Sequence, residues 1–228
     1  MLKLDKWLSK QLGHFAYNLD LKDLKKVNFL NFKFKKILIT IKTKKIINTK
    51  FLKKNQIELI EKNITFFKKI NKSNFNLDLK NVRFAKIADK KSVLILAQNA
   101  FTKSRFFQDK KINKKIAKKI KRNWVLNFFK KKRGDYLIIS EKNKKLVGFL
   151  LIVKNKNNYI IDLIAVNKSY KKIGLASKML SFFENYIKNN KKSLIEVSTQ
   201  SNNKESIKFY LKNNFKIKFQ KYIYHFKN

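Results

Sequence analysis

Apolar runs separated by polar turns are clearest between residues 135 and 166, where 135–140, 145–153 and 159–166 read as strands. The polar stretches 141–144 and 154–158 carry turn residues and join the three into a meander. Upstream, 82–87 reads as a strand, and Asp89 is placed to cap a helix over 92–101. A second helix is predicted over 112–129, with Ile116, Ile120, Trp124 and Phe128 at four-residue spacing on its core face. Downstream, Ala176, Met179, Leu180, Phe183, Tyr186 and Ile187 form the apolar stripe of a helix over 174–189. A strand at 193–199, a helix at 203–213 and two short strands at 215–219 and 221–226 complete the pattern. The polar cluster 71–81 interrupts the periodicity and places a domain boundary near residue 80, giving units 1–80 and 81–228.

Composition narrows the chemistry. A 228-residue chain that is 44% hydrophobic buries a substantial core. With no cysteine and two histidines, a Cys/His metal site or a disulfide framework has nothing to be built from, and no metal is expected. The longest apolar run, 146–153, falls far short of the ~20 residues that span a bilayer, and Lys3, Asp5 and Lys6 interrupt the N-terminus where a signal peptide needs an apolar stretch. The expectation is a soluble, cytoplasmic protein. The net charge of +43 points first to nucleic acid or an anionic surface. Yet Arg83, Arg105, Arg122 and Arg133 are the chain's only arginines, whereas phosphate forks and base readout favour that residue. Lysine, asparagine, isoleucine and phenylalanine abound, proline is absent and four glycines remain, so the charge reads as a solvated lysine surface that draws small anions. No nucleic-acid partner is expected.

An ungapped internal repeat sets KFLKKNQIEL (50–59) over KFYLKNNFKI (208–217), and ITFF (64–67) over YIYH (222–225). Residues 1–80 thus read as a degenerate half-copy of the C-terminal unit. Leu52 stands where Tyr210 stands, so a phenol is available to the second copy alone.

The segment LIAVNKSYKKIGLAS (163–177) passes from an apolar strand through a polar turn into a helix. Unpaired amides at a helix N-terminus, together with the macrodipole, favour a phosphate or pyrophosphate, and Gly174 removes the Cβ that would hold a ligand away. An ordinary strand-to-helix connection with solvated lysines explains the segment equally well. In a chain with four glycines, however, each is expected where backbone geometry demands it.

At these residues the sequence resembles the GNAT acetyltransferase superfamily. The family's pyrophosphate signature is Arg or Gln, two residues, Gly, one residue, then Gly or Ala; Lys171, Gly174 and Ala176 fall on it. Lys171 departs from the first position, and Lys172 sits where glycine is frequent. A second segment, NKESIKFYLKNNF (203–215), resembles the family's Asn, two residues, Ala or Ser, three residues, Tyr, then Phe. Read alone, Asn203 is a helix cap and Tyr210 a core aromatic. The two signatures in order, about thirty residues apart, favour the functional reading.

The resemblance covers about residues 82–228 and implies an acyl-CoA N-acyltransferase fold: a mixed α+β arrangement with a central, mostly antiparallel sheet flanked by helices, preceded by the smaller GNAT-like half-domain. It implies acetyl-CoA as co-substrate, held by Leu163, Ile164, Ala165 and Val166 along the strand. Lys171, Lys172, Ile173, Gly174, Leu175, Ala176 and Ser177 would hold it in the turn, and Asn203, Ser206 and Tyr210 on the later helix. It also implies that Tyr210 protonates the departing thiolate, for which a positioned phenol is suited. Within the superfamily the pieces SRFFQD (104–109), DLIAV (162–166), Thr199 with Gln200, and YIYH (222–225) are similar to acetyltransferases of nucleotide-linked amino sugars of the fucosamine type. The expected reaction is direct attack of a substrate amine on the thioester. Asp162, Glu196, His225 and Glu61 are candidates for the base. Arg105 is the candidate for an anionic part of the acceptor, with Phe106 beside it. A homodimer is compatible with this reading. A protein α-amine or another small amine is the alternative acceptor, and a non-catalytic CoA- or RNA-binding protein is the third reading.

Overall fold

The computed structural model describes residues 1–70, 79–156, 158–190 and 194–227. Most of the cluster at 71–81 that marks the expected boundary therefore lies outside the described residues, as does the first residue of the strand expected at 193–199. In chain order the first part contains β1 (Lys3–Leu4), α1 (Lys6–Leu12), β2 (Phe15–Leu19), β3 (Ile37–Thr43), α2 (Thr49–Lys54) and β4 (Ile57–Lys69). The remainder contains β5 (Val82–Phe84), α3 (Lys90–Ala100), α4 (Arg105–Gln108), α5 (Lys114–Phe129), β6 (Tyr136–Lys142), β7 (Lys145–Lys154) and β8 (Tyr159–Val166). It closes with α6 (Leu175–Ile187), β9 (Leu194–Gln200), α7 (Lys204–Lys212) and β10 (Lys216–Lys227).

The strands form one mixed sheet in the order β1-β2-β3-β10-β4-β9-β8-β7-β6-β5. Two pairs, β2 with β3 and β8 with β9, are parallel, and the others are antiparallel. The run in β7 is continuously apolar rather than alternating because both of its faces are covered. Leu150 and Ile152 pack with Met179, Leu180 and Phe183 of α6, while Phe149 and Leu151 pack with Val93 and Ala97 of α3 and Val125 of α5. Each such side chain contributes about 1.5–3 kcal/mol by leaving water. No helix among the described residues is long and apolar enough to cross a membrane.

The last strand of each part is exchanged with the other. β10 lies between β3 and β4, and β4 lies between β10 and β9, so one sheet runs through both halves of the chain. The two repeated segments adopt the same local geometry. Asn55 and Asn213 end α2 and α7, and each donates its side-chain amide to a carbonyl one turn back, Phe51 at 2.9 Å and Phe209 at 2.8 Å. The following residues, Gln56 and Asn214, both take positive φ, 54° and 63°.

Three local expectations are corrected. The two short strands expected at 215–219 and 221–226 are the single strand β10: the register slips between Ile217 and Phe219, so Lys218 forms a bulge instead of a turn. Asp89 does stand at the start of α3, but its carboxylate takes Arg83 at 2.8 and 3.0 Å and the Lys86 amide at 2.6 Å rather than capping the helix. On α5 the buried stripe is Ala117, Ile120 and Val125. A strict four-residue spacing drifts round a 3.6-residue helix, leaving Ile116, Trp124 and Phe128 half-buried.

Candidate active site: a cleft where two parallel strands part

β8 and β9 pair only over Tyr159 with Ile195, Ile160 with Glu196, and Ile161 with Val197. Beyond that point both strands continue, β8 paired with β7 and β9 with β4, but not with each other. The cause lies in β8: its register with β7 slips between Ile161 and Leu163, making Asp162 an inserted residue. A bulge bends the strand and leaves backbone groups outside the ladder. The split opens a cavity of about 640 Å³, walled by residues 161–166 of β8, 197–200 of β9, the start of α6, the inner side of α7 and Lys121 of α5. In the first half of the chain β2 and β3 stay paired from Phe15 with Ile37 to Leu19 with Ile41, so no equivalent split is present among the described residues.

One end of the cleft suits a pyrophosphate. α6 starts from Gly174 at φ 82°, and no side chain caps its first turn. Gly174, Leu175, Ala176 and Ser177 form part of the cavity wall, and the amides of an uncapped first turn suit an anion. Lys172 is also left-handed, with φ 66°, which accounts physically for the glycine frequent at this position. Lys172→Gly is expected to keep the loop and change stability by no more than about 1 kcal/mol, with acetyl-CoA affinity retained. Thermal denaturation and calorimetry check both parts. Lys171 and Tyr170 complete this wall, and Lys171 crosses to Glu205 of α7 at 2.8 Å; Ile173 is half-exposed and off the wall.

Asn203 caps α7 by accepting from the Ser206 amide, and its own amide donates to Ser206 Oγ at 2.8 Å and toward Thr199 Oγ1 at 3.4 Å. Thus the bland expectation, a cap, and a place on the cavity wall hold together. Tyr210 lies deeper on the same helix, among Phe66, Phe209 and Phe215 at ring distances of 5.7, 5.1 and 5.4 Å. Burial raises its phenol well above the ordinary value, so it keeps its proton.

Behind Lys121 and Asp162, which are on the cavity wall, lies a cationic cluster whose other members, Lys42, Arg105, Arg133 and the carboxylate of Glu61, are not themselves on that wall. Arg105 of α4, Lys121 of α5, Arg133 just after α5, and Lys42 of β3 act on one another and on Glu61 of β4 and Asp162 of β8. Burial lowers Lys121 to about 8, with Arg105 and Arg133 adding repulsion. Lys42, whose side chain is more open, falls to about 8 chiefly because it faces Arg105. Burial also lowers Arg105 and raises Glu61; Gln200 and Asn63 approach Glu61 and oppose that rise. Glu61 Oε2, Asn63 Oδ1, Ser104 Oγ and Arg105 Nη1 are buried without a hydrogen-bond partner among the described residues. Such atoms lose water without compensation unless a ligand supplies it. Glu61 lines a separate, smaller pocket of about 190 Å³ with Gln108, Ser201 and Asn202, not the main cleft.

The other sequence candidates lie elsewhere or are otherwise engaged. Asp162 borders the cleft but accepts Trp124 Nε1 at 2.7 Å and both Arg133 nitrogens at 2.8 and 2.7 Å. Glu196 is paired with Lys218 at 2.6 Å and is not on the cavity wall. His225 is buried against Asp109 at 2.7 Å, and Phe106 is buried with Leu8, Leu38 and Ile120; neither side chain borders the cleft. Sequence reading missed Lys121, Trp124 and Arg133 as part of the site. For Trp124 and Arg133 the signal was rarity, since the chain has four arginines and two tryptophans, but rarity does not say which rare residues meet; Lys121, one lysine among many, carried no signal.

The sequence profile of the GNAT acetyltransferase family matches residues 100–215, just over half of the chain, so the chain belongs to that family. The cleft, with its bulged strand and uncapped helix, lies within the matched region. Among curated proteins, the spore coat polysaccharide biosynthesis protein SpsD of Bacillus subtilis (strain 168) is 27% identical over 137 residues, which cover 60% of this chain and 47% of that protein. The match therefore spans about half the length of that relative. Among solved structures, a conserved protein of unknown function from Staphylococcus epidermidis ATCC 12228 superposes with a TM-score of 0.65 at 12% identity, covering 94% of this chain and 84% of that one. A GCN5-related N-acetyltransferase from Sphaerobacter thermophilus gives a TM-score of 0.58 at 10% identity, covering 84% and 60%. These likenesses establish the fold.

Proposed function

We propose that the protein transfers the acetyl group of acetyl-CoA to the amine of a nucleotide-linked amino sugar, by direct attack within a ternary complex. The observation that carries the reading is one cavity with an uncapped helix start on its wall, suited to the cofactor pyrophosphate, and with Lys121 and Asp162 on the same wall leading to the buried cationic cluster of Arg105 and Arg133, suited to an anionic acceptor. Residues 163–166 would run beside the pantetheine, and an amide freed by the bulge at Asp162 would meet the thioester oxygen as it gains charge. Asn203 and Ser206 would flank the same arm. Tyr210 holds a proton for the sulfur, and Glu61, a carboxylate lifted by burial, takes one from the ammonium. Arg105 offers its fork to a phosphate of the carrier. The relative in polysaccharide biosynthesis supports a sugar acceptor. We also propose that residues 1–80 are a degenerate GNAT-like half-domain that closes the acceptor side through β3 and β4, a reading supported by the matching ends of α2 and α7.

An acceptor series tests this. At low salt a nucleoside-diphosphate amino sugar should show kcat/KM at least about 10-fold above the free amino sugar, the gap narrowing as salt screens the cluster. Equal rates for both, or faster transfer to a peptide α-amine, would overturn the acceptor assignment.

A further inference from the structure

The reaction just described gives Lys121 no chemical step, although it is the one lysine that α5 supplies to the cavity wall. Lys121 projects from α5 onto the cavity wall that also contains the bulge of β8, Gln200 and Tyr210. Its ammonium sits over the rings of Trp124 at 4.7 Å and Phe101 at 5.2 Å. Trp124 is itself hydrogen-bonded to Asp162 at the bulge, which ties the Lys121 side chain to the point where the thioester would lie.

We propose that Lys121 is a self-acetylation site, modified by acetyl-CoA bound in the same cleft when no acceptor is present. The proposal rests on the acetyl-CoA reading above. In the step, the nitrogen lone pair of neutral Lys121 attacks the thioester carbon, so that a C–N bond forms and the C–S bond breaks. The sulfur leaves with the electron pair and takes a proton from Tyr210 or water, and the surplus proton on nitrogen passes to solvent. The products are acetyl-Lys121 and coenzyme A. Holding amine and thioester in one cavity converts the encounter into an intramolecular step, which separates Lys121 from the lysines of the surface.

The groups facing Lys121 set its availability. Asp162 of β8 and Glu61 of β4 favour the ammonium; burial, Arg105 of α4 and Arg133 favour the amine, and the balance brings the group to about 8. The reactive neutral fraction therefore grows with pH, and the rate should rise about 10-fold between pH 7 and pH 9. Acetylation removes a positive charge from the cationic cluster, so the modified protein should show a raised KM for an anionic acceptor.

The experiment is incubation of the purified full chain with acetyl-CoA alone, followed by peptide mass spectrometry resolved by site and time. One acetyl group should accumulate on Lys121 at least about 10-fold faster than on typical surface lysines, and an excess of coenzyme A should suppress it there and not on the surface. Lys121→Arg should abolish that signal while preserving the fold. Acetylation of Lys121 no faster than the surface, or insensitive to coenzyme A, would overturn the proposal. Saturable acetyl-CoA binding in calorimetry alongside an unmodified Lys121 would overturn it alone, whereas absence of binding would overturn the acetyltransferase reading with it.

Discussion

Replacing Tyr210 with phenylalanine is expected to lower kcat by about 100- to 10,000-fold, the range for removal of a positioned general acid, while leaving acetyl-CoA affinity within about 2-fold. The substitution deletes one oxygen from a ring that packs against Phe66, Phe209 and Phe215, so the volume and the aromatic contacts survive. A stability loss therefore cannot stand in for a chemical one, and thermal denaturation of the variant should match the parent closely. Because burial holds the phenol above its ordinary value, its proton stays in place through the neutral range and adds no alkaline limb there. Single-turnover acetyl transfer together with calorimetry reads both quantities. An unchanged kcat would remove Tyr210 from the chemistry and leave it as the core aromatic of α7.

Glu61→Gln should cost about 100-fold or more in kcat/KM and, unlike most substitutions in a core, should raise the melting temperature near neutral pH. Both effects come from one cause. The carboxylate is 5% exposed, with one oxygen unpartnered, and burial raises it above the ordinary glutamate value. As a base it acts when ionised, so activity of the parent should rise with pH through that elevated value, giving an acid limb displaced upward from the usual carboxylate range. As a buried charge it opposes folding. The folded chain holds this proton more tightly than the unfolded chain does, so the stability contributed by the protonated form is complete below the unfolded value, about 4.3, and is lost as pH rises through the folded one. The gain in melting temperature for Glu61→Gln should accordingly be largest above the folded value and vanish near pH 4. A variant that retains its activity would transfer the role of base away from Glu61, to water or to another side chain.

The strands 135–166 and the helices around them were legible because their signals are local. Apolar runs mark β6, β7 and β8, the stripe Met179, Leu180, Phe183 and Ile187 fixes the face of α6, and the turn clusters mark where the strands end. The cofactor end of the cleft was legible for the same reason: a glycine at positive φ opening a helix, and an asparagine capping the next one, are short-range arrangements that the sequence writes in adjacent residues. The acceptor end was not. Glu61, Arg105, Lys121, Asp162 and Arg133 come from five separate segments, and nothing in their spacing says that they converge.

Asp162, Glu196 and His225 show the limit from the other side. As residue types they were reasonable bases. Arg133 with Trp124, Lys218, and Asp109 engage them through contacts spanning 22 to 116 positions of chain. The exchanged strands carry the same lesson at larger scale. The repeat 50–59 over 208–217 led to an expectation of two related units, but pairing partners are chosen by the whole sheet, and β4 and β10 each lie against a strand from the other part of the chain. Sequence by itself thus determined the elements, many of their apolar faces and the local geometry of the cleft end proposed for the cofactor, since these depend on neighbours along the chain. Tertiary structure alone decided where β8 and β9 part and which charges face one another across the opening, because bulge register and buried electrostatics are set by residues distant in sequence and close in space.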